Sequence, residues 1–284
     1  MRRHLCFATL IAVAAVTGML RAQARPLDEV TASGTLKVAL YSDNKPWSDM
    51  EGGKPVGIDV DIADEVAKAL KVKPEIKLYD ASEDVGGDFR LNLWKGDLVG
   101  SPLSDLMLQV PNDRVLMTRD DQIALTAPYF MQKLAIAYNA DKLGKMTTVA
   151  DIGSSKVAVE GTSASDIFLM TLLGGRFRPN ATHFLNFDQA VKAFKAGQEP
   201  VIAGTQAQIQ AAFHEFDVDT ATNPILIPTL VGPVKNHWEL AGAVRANSRD
   251  LGYAVSDILT AMVKDGRMKT ICAKYGVTFT PPDL

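Results

Sequence analysis

Short apolar runs alternate with helix-patterned segments along almost the whole chain, and this alternation restricts the fold more than any other feature. The runs have the length of strands and end in turn residues, whereas the segments between them repeat apolar residues every three or four positions. In residues 58–70, for example, Ile62, Val66 and Leu70 form one apolar face. Strands that alternate with helices predict an α/β fold with parallel-dominated sheets.

The strands and helices fall into two similar series, which predicts two lobes. The predicted strands cover residues 35–40, 75–80, 105–110, 133–139, 156–160, 200–204 and 239–245. The predicted helices cover residues 58–70, 161–173, 187–197, 205–216, 251–266 and 267–276. The segment 41–57 is rich in turn residues and is predicted to be a loop.

The first 24 residues have the features of a secretory signal peptide. Arg2 and Arg3 precede an apolar run from Leu5 to Leu20, and Ala22-Gln23-Ala24 has the small-x-small form of a cleavage site. The run is short for a membrane span, which needs about 20 apolar residues. We therefore predict export to the periplasm with loss of residues 1–24, and no membrane-spanning segment in the mature chain.

The charge of the chain argues against a nucleic-acid-binding protein, and its cysteine content argues against a disulfide. The chain has 30 basic and 33 acidic residues, and loss of the leader would remove three arginines and no acid, which moves the net charge from −3 to about −6. A nucleic-acid-binding protein would show a basic surface. Cys272 would be the one remaining cysteine and is predicted to be a buried thiol.

Catalytic and metal-binding patterns are not found in the sequence. His183, His214 and His237 are too widely spaced to form a metal-ligand motif. The chain has neither a Gly-x-Ser-x-Gly elbow nor a glycine-rich phosphate loop. We therefore predict that the protein is not an enzyme and takes no cofactor or metal.

Several short motifs occur in a characteristic order. They are Pro46-Trp47, GIDVDIADEVAKAL at 57–70, Thr118-Arg119 ahead of Pro128-Tyr129, VAVEGTS at 157–163 and DGRMKTICAKYG at 265–276. Together they resemble the polar-amino-acid type of extracellular, periplasmic solute-binding protein of family 3, over nearly the whole mature chain. The resemblance implies a type II, two-lobe periplasmic binding protein with an interlobe cleft. We predict lobe 1 from 27–135 plus 240–284, and lobe 2 from 136–239.

The same resemblance implies a carboxylate-binding role for one arginine. In this family an arginine ahead of the Pro-Tyr pair contacts the α-carboxylate of the ligand, to which its planar guanidinium is well matched. This implies Arg119, assisted by the hydroxyl of Thr118. Arg114 in the same segment is the alternative.

Two further groups are implied to form the walls of the cleft. Tyr41 and Trp47 would be aromatic walls, although Trp47 as a core residue that closes its loop is an equal alternative. In the other lobe, Thr162 and Ser163 belong to a turn whose backbone N–H groups, at the start of a helix, suit an anion. A simple helix cap is the alternative for this turn.

The second lobe departs from the family at the positions that hold the α-ammonium group of an amino acid. Pro200 and Gly204 stand where two acidic residues are expected, Glu199 is the nearest acid, and Ile58 replaces the usual phenylalanine. A buried amine requires an anionic partner. An ordinary amino acid is therefore disfavoured, and a small carboxylate-bearing ligand is predicted, passed to an ABC permease.

An insert at 80–113 is the second departure. Its run DLMLQVP at 105–111 resembles periplasmic components encoded beside quinoprotein alcohol dehydrogenases, including methanol dehydrogenase. That resemblance implies the alternative function, which is to assist assembly or activation of a periplasmic quinoprotein dehydrogenase.

Overall fold

The computed structural model describes residues 24–229 and 236–283. Residues 1–23 of the predicted signal peptide lie outside the described residues, so its cleavage stays a prediction.

Helices and strands alternate as predicted, except that the segment 41–57, predicted to be a loop, contains a short two-stranded hairpin. The helices are α1 (Leu27–Ser33), α2 (Ile58–Ala69), α3 (Val85–Phe89), α4 (Arg114–Arg119), α5 (Ala140–Leu143), α6 (Ala164–Thr171), α7 (Phe187–Lys195), α8 (Gln206–Glu215), α9 (Arg249–Asp265) and α10 (Arg267–Lys274). The strands are β1 (Thr35–Tyr41), β2 (Asp49–Glu51), β3 (Lys54–Val56), β4 (Lys73–Tyr79), β5 (Leu106–Pro111), β6 (Ile123–Leu125), β7 (Phe130–Tyr138), β8 (Val157–Glu160), β9 (Ala181–Phe184), β10 (Val201–Thr205), β11 (Ile225–Leu226) and β12 (His237–Arg245).

The large sheet is mixed, with strand order β4-β1-β5-β12-β7-β10-β8-β9. The strands on each side, β4-β1-β5 and β10-β8-β9, are parallel, as the alternating pattern predicts. The strands in the middle are antiparallel, because β7 and β12 are two long strands that run in opposite directions and pair along residues 130–133 and 237–240.

Separate hydrophobic cores lie on the two sides of these long strands. One core packs α2, α9 and α10 against β1 and β5. Two others cover the two faces of the β7-β10-β8 sheet, the first with α6 and the second with α7 and α8. The predicted lobe boundaries, at 135/136 and 239/240, fall inside β7 and β12, and they remain a proposal.

The start of α2 fixes the loop that follows β1. The backbone N–H groups of Ile58 and Asp59 donate to the carbonyl oxygens of Pro46 (2.9 Å) and Trp47 (2.8 Å). Gly57 makes this approach possible, because it has a φ of +134° and a Cβ there would lie 2.3 Å from the Trp47 carbonyl oxygen. The loop is thereby held against α2, and Trp47 is placed at the edge of the core.

Candidate ligand-binding cavity

A cavity of about 500 Å³ lies where strands of both lobes end. Tyr41, Glu160 and Thr205, the last residues of β1, β8 and β10, line it, together with Gln132 of β7 and Trp238 of β12. In open α/β sheets, ligands bind beyond the carboxyl ends of the strands. The position and size of this cavity are those of a small-molecule site.

Four of the predicted site residues, Tyr41, Trp47, Thr162 and Ser163, line this one cavity. The Tyr41 hydroxyl donates to Asp88 (2.8 Å) and is therefore already committed within the protein. Trp47 is 1% exposed and packs edge-to-face on Phe130, with ring centroids 4.9 Å apart. Trp47 is thus a core residue and a wall of the cavity at once, and its contact with a ligand stays a prediction.

Thr118 and Arg119 lie elsewhere, since neither is among the residues that line the cavity. They are the last two residues of α4, where both are exposed and the Thr118 hydroxyl donates to the Val115 carbonyl (2.8 Å). Arg114 begins the same helix and is exposed too. The structure therefore does not bring these arginines to the other predicted site residues, and the predicted carboxylate contact stays a prediction.

The turn at the start of α6 uses most of its polar groups within the protein. Ser163 is the N-cap, because its hydroxyl accepts the N–H of Asp166 (3.1 Å). The Thr162 N–H donates to the Asp166 carboxylate (3.0 Å), and the Gly161 N–H donates to the Phe184 carbonyl (2.9 Å). The helix cap is confirmed, and two N–H groups that suit an anion are already occupied.

Three buried polar atoms on residues that line the cavity have no hydrogen-bond partner: Trp47 Nε1, Gln132 Oε1 and Ser165 Oγ. The three residues are only 1%, 3% and 3% exposed. An unpaired buried polar atom costs about 1–3 kcal/mol, and most such atoms in folded proteins are paired. A bound solute that pairs with these atoms would remove that cost.

Sequence reasoning missed two of these three residues. Gln132 had a usable signal in the sequence, because it is a polar residue within the apolar strand β7, which joins the lobes. In the structure the Gln132 side chain is 3% exposed. Ser165 had none, since a serine in the first turn of a helix is common.

Strained backbone is also found around the cavity. Asp43, Gln109 and Thr162 line it and have φ values of +47°, +59° and +62°. Such values are uncommon outside glycine and cluster at functional sites. Gln109 lies at a β-bulge, where β5 has one more residue than its partner β12, and the side-chain amide of Asn44 donates to it. The bulge places the Gln109 side chain at the cavity.

The acid that would hold an α-ammonium group has no room at position 204. A Cβ on Gly204 would lie 2.6 Å from the ring of Phe187. Glu199 precedes β10, whereas the cavity lies at the other end of that strand, about 20 Å away at the usual rise per residue. Glu160, which ends β8, is instead the half-buried acid in the cavity wall.

The remaining sequence predictions concern metals, thiols and membranes. Among the described residues, no group of three His, Cys, Asp or Glu side chains is arranged to hold a metal ion. Cys272 is fully buried, as predicted, and burial raises the pKa of its thiol to about 12. No helix in the described part of the chain has the length and apolar character to span a membrane.

The sequence comparisons give a match to a family profile and to a curated relative. The profile of bacterial extracellular solute-binding proteins, family 3, matches residues 36–86. The L-cystine-binding protein TcyJ of Escherichia coli (strain K12) is 24% identical over 271 residues, which cover 94% of this chain and 92% of TcyJ.

Two solved structures show the similarity of fold. An ancestral cationic amino acid solute-binding protein superposes with a TM-score of 0.68 at 22% identity, over 88% of this chain and 99% of that one. An amino acid ABC transporter substrate-binding protein from Streptococcus pneumoniae, bound to L-arginine, gives a TM-score of 0.62 at 20% identity, over 90% and 99% of the two chains. This chain therefore has the two-lobe α/β fold of the type II periplasmic binding proteins.

Proposed function

We propose that this protein is a periplasmic solute-binding protein that closes its lobes around one small polar molecule. The unpaired atoms of Trp47, Gln132 and Ser165 carry the proposal, because all three belong to residues that line a single cavity between the lobes. The family-3 match and the names of the relatives support the same function. In this proposal a membrane permease of the ABC type receives the solute.

Removing an unpaired polar atom tests this function. Gln132→Met and Ser165→Ala should leave the free energy of unfolding unchanged or higher, because each removes a polar group that is unsatisfied without ligand. Both should weaken solute binding about fivefold or more, since a net hydrogen bond is worth about 1 kcal/mol. Thermal shift and calorimetric titration against a library of small polar solutes measure both quantities.

Thr126→Val is the matched control for these variants. The Thr126 hydroxyl is buried but paired, since it accepts the Gly242 N–H (2.8 Å) and donates to the Ala127 carbonyl (3.1 Å), away from the cavity. This variant should lose stability and keep its affinity. If no solute in the library binds the wild type, or if Gln132→Met and Ser165→Ala bind as the wild type does, the proposed function is wrong.

The predicted carboxylate on the ligand depends on Arg119. Its test is Arg119→Ala, which should abolish binding of a carboxylate ligand if that arginine is the clamp. Arg114→Ala tests the alternative arginine in the same way. The positions of both residues on the exposed helix α4 lend this part of the proposal no support.

The accessory role beside a quinoprotein dehydrogenase stays the alternative. None of the relatives named above is a component of that kind, so the comparisons lend it no support. Genes for a permease and an ATPase beside this gene would favour solute uptake, whereas a quinoprotein dehydrogenase gene would favour the accessory role.

A further inference from the structure

The cavity wall carries negative charge without a basic counterpart. Among the described residues that line it, Asp43 and Glu160 are acids and none is Lys, Arg or His. Asp43 is exposed at the rim, whereas Glu160 is half-buried at the end of β8. A cavity lined by one sign of charge concentrates ligands of the opposite sign.

The neighbouring crevice does not neutralise this charge. Asp43 and Glu160 also line that crevice, which adds the acids Asp49 and Asp188 and, among its described lining residues, one basic residue, Lys45. The Lys45 ammonium is already bound to Glu215 (3.1 Å) and Asp188 (3.4 Å). Glu160 takes part in none of the ion pairs found among the described residues.

Glu160 is therefore a half-buried carboxylate that lacks a counter-ion. Burial, and next the negative charge of Asp188, raise the pKa of Glu160, while a hydrogen bond from the Phe187 backbone acts in the opposite direction. Desolvation of a charged group is unfavourable unless an opposite charge compensates it. A cation that enters the cavity would supply that compensation.

A ligand carboxylate, in contrast, would meet unfavourable surroundings. The Thr162 and Gly161 N–H groups at the start of α6 are already bonded, and the acceptor of the first is the carboxylate of Asp166. A second carboxylate placed there would lie beside a like charge. Arg114 and Arg119 lie on α4 and do not line the cavity, so neither compensates that charge here.

We propose that the cavity binds a small organic cation without a free carboxylate, an amine or guanidinium compound, with Glu160 as its counter-ion. The cation also needs an uncharged acceptor, such as an amide or hydroxyl oxygen, because Trp47 Nε1 is a donor without a partner. This inference rests on the proposed solute-binding function and specifies the ligand class of the same cavity. The proposed ligand is opposite in charge to the carboxylate ligand that the sequence predicts.

A matched pair of probes separates the two charges. L-argininamide and L-arginine differ only in that an amide replaces the carboxylate. Calorimetric titration should show that argininamide binds at least tenfold more tightly, and ethanolamine and L-lysinamide should bind where L-lysine and L-glutamate do not. Tighter binding of the carboxylate member of either pair overturns the proposal and leaves the solute-binding function intact.

Glu160→Gln tests the counter-ion. It should weaken the binding of argininamide about tenfold to a hundredfold, because the cation loses a partly buried partner. The melting temperature of the unliganded variant should stay equal or rise, since an uncompensated charge is removed. Glu29→Gln, on the exposed side of α1 and away from the cavity, is the matched control and should bind argininamide as the wild type does.

The pH dependence of binding shows whether Glu160 is the counter-ion of the ligand, because a merely structural role of Glu160 would not produce this dependence. Affinity for argininamide should fall as pH drops below the pKa of Glu160, by no more than the loss caused by Glu160→Gln, and should be level from that pKa up to about pH 7, where the probe is still fully charged, because the cation binds the ionised carboxylate. In Glu160→Gln this dependence should disappear. Affinity that is unchanged by the substitution, or that keeps the same pH profile, overturns the proposal.

If the wild type binds no probe of any charge and no member of the solute library, the solute-binding function itself is wrong.

Discussion

At the scale of single residues, Asp59 is a carboxyl group whose surroundings disfavour its charged form. It is fully buried at the start of α2, where Oδ1 accepts the hydroxyl of Tyr129 (2.8 Å) and Oδ2 has no partner. Burial, opposed by the Tyr129 hydrogen bond, raises the pKa of Asp59 to about 7. The Tyr129 hydroxyl in turn accepts the N–H of Gln109 (2.9 Å). The Asp59–Tyr129 pair therefore holds the backbone of Gln109, which has a positive φ and lines the cavity.

A pH dependence of stability follows from this shift. Between about pH 4 and pH 7 the folded protein keeps the Asp59 proton, whereas the unfolded chain has lost it, so stability falls as pH rises through that range. The loss is a few kcal/mol, at about 1.4 kcal/mol per pKa unit. Asp59→Asn should therefore flatten the decline between about pH 4 and pH 7, measured by urea unfolding. Asp28→Asn, at the exposed first turn of α1, should retain the wild-type slope. An Asp59→Asn variant that retains it too would refute the role of Asp59.

At the scale of secondary-structure elements, the contact between β10 and α7 leaves no space for a side chain at Gly204. The ring of Phe187 fills that space, and a side-chain carbon of Ile209 in α8 would lie 3.2 Å from an added Cβ. Gly204→Ala should therefore destabilise the protein by about 1–3 kcal/mol through overpacking. A Cβ at Gly161 would have its nearest neighbour atom at 3.6 Å, so Gly161→Ala should change unfolding stability much less. Equal stability of the two variants in chemical denaturation would contradict this explanation.

The elements themselves were largely predictable, because each long strand and helix carries its own periodicity. The predicted helix at 58–70 is α2, and the predicted strand at 200–204 overlaps β10. The short helix α4 was missed, since its residues are all exposed or half-buried and no apolar face marks it. The cavity was only partly predictable: Trp47, Gln132 and Ser165 are far apart in sequence, and their lack of partners depends on the packing of both lobes.

At the scale of the whole molecule, the lobes touch through more than the strands that join them. Lys45, in the loop after β1, reaches Asp188 at the start of α7 and Glu215 at the end of α8. On another part of the boundary, the Thr278 N–H donates to the side chain of Gln210 (3.0 Å). The ion pairs of Lys45 therefore hold the lobes together beside the cavity even without a ligand.

Lys45→Ala should open the unliganded protein. Partly exposed ion pairs are worth about 1 kcal/mol or less, so the ratio of closed to open molecules should fall by up to about fivefold. Small-angle X-ray scattering should show a larger radius of gyration for the variant at low salt. High salt should produce the same expansion in the wild type and little further change in the variant, because salt screens exposed charges. Lys54→Ala, on the exposed strand β3, should scatter as the wild type does. Ligand affinity should fall by no more than the change in the closed fraction, since the cavity itself is unaltered. Identical low-salt scattering of Lys45→Ala and the wild type would show that the hinge strands alone determine how far the lobes close.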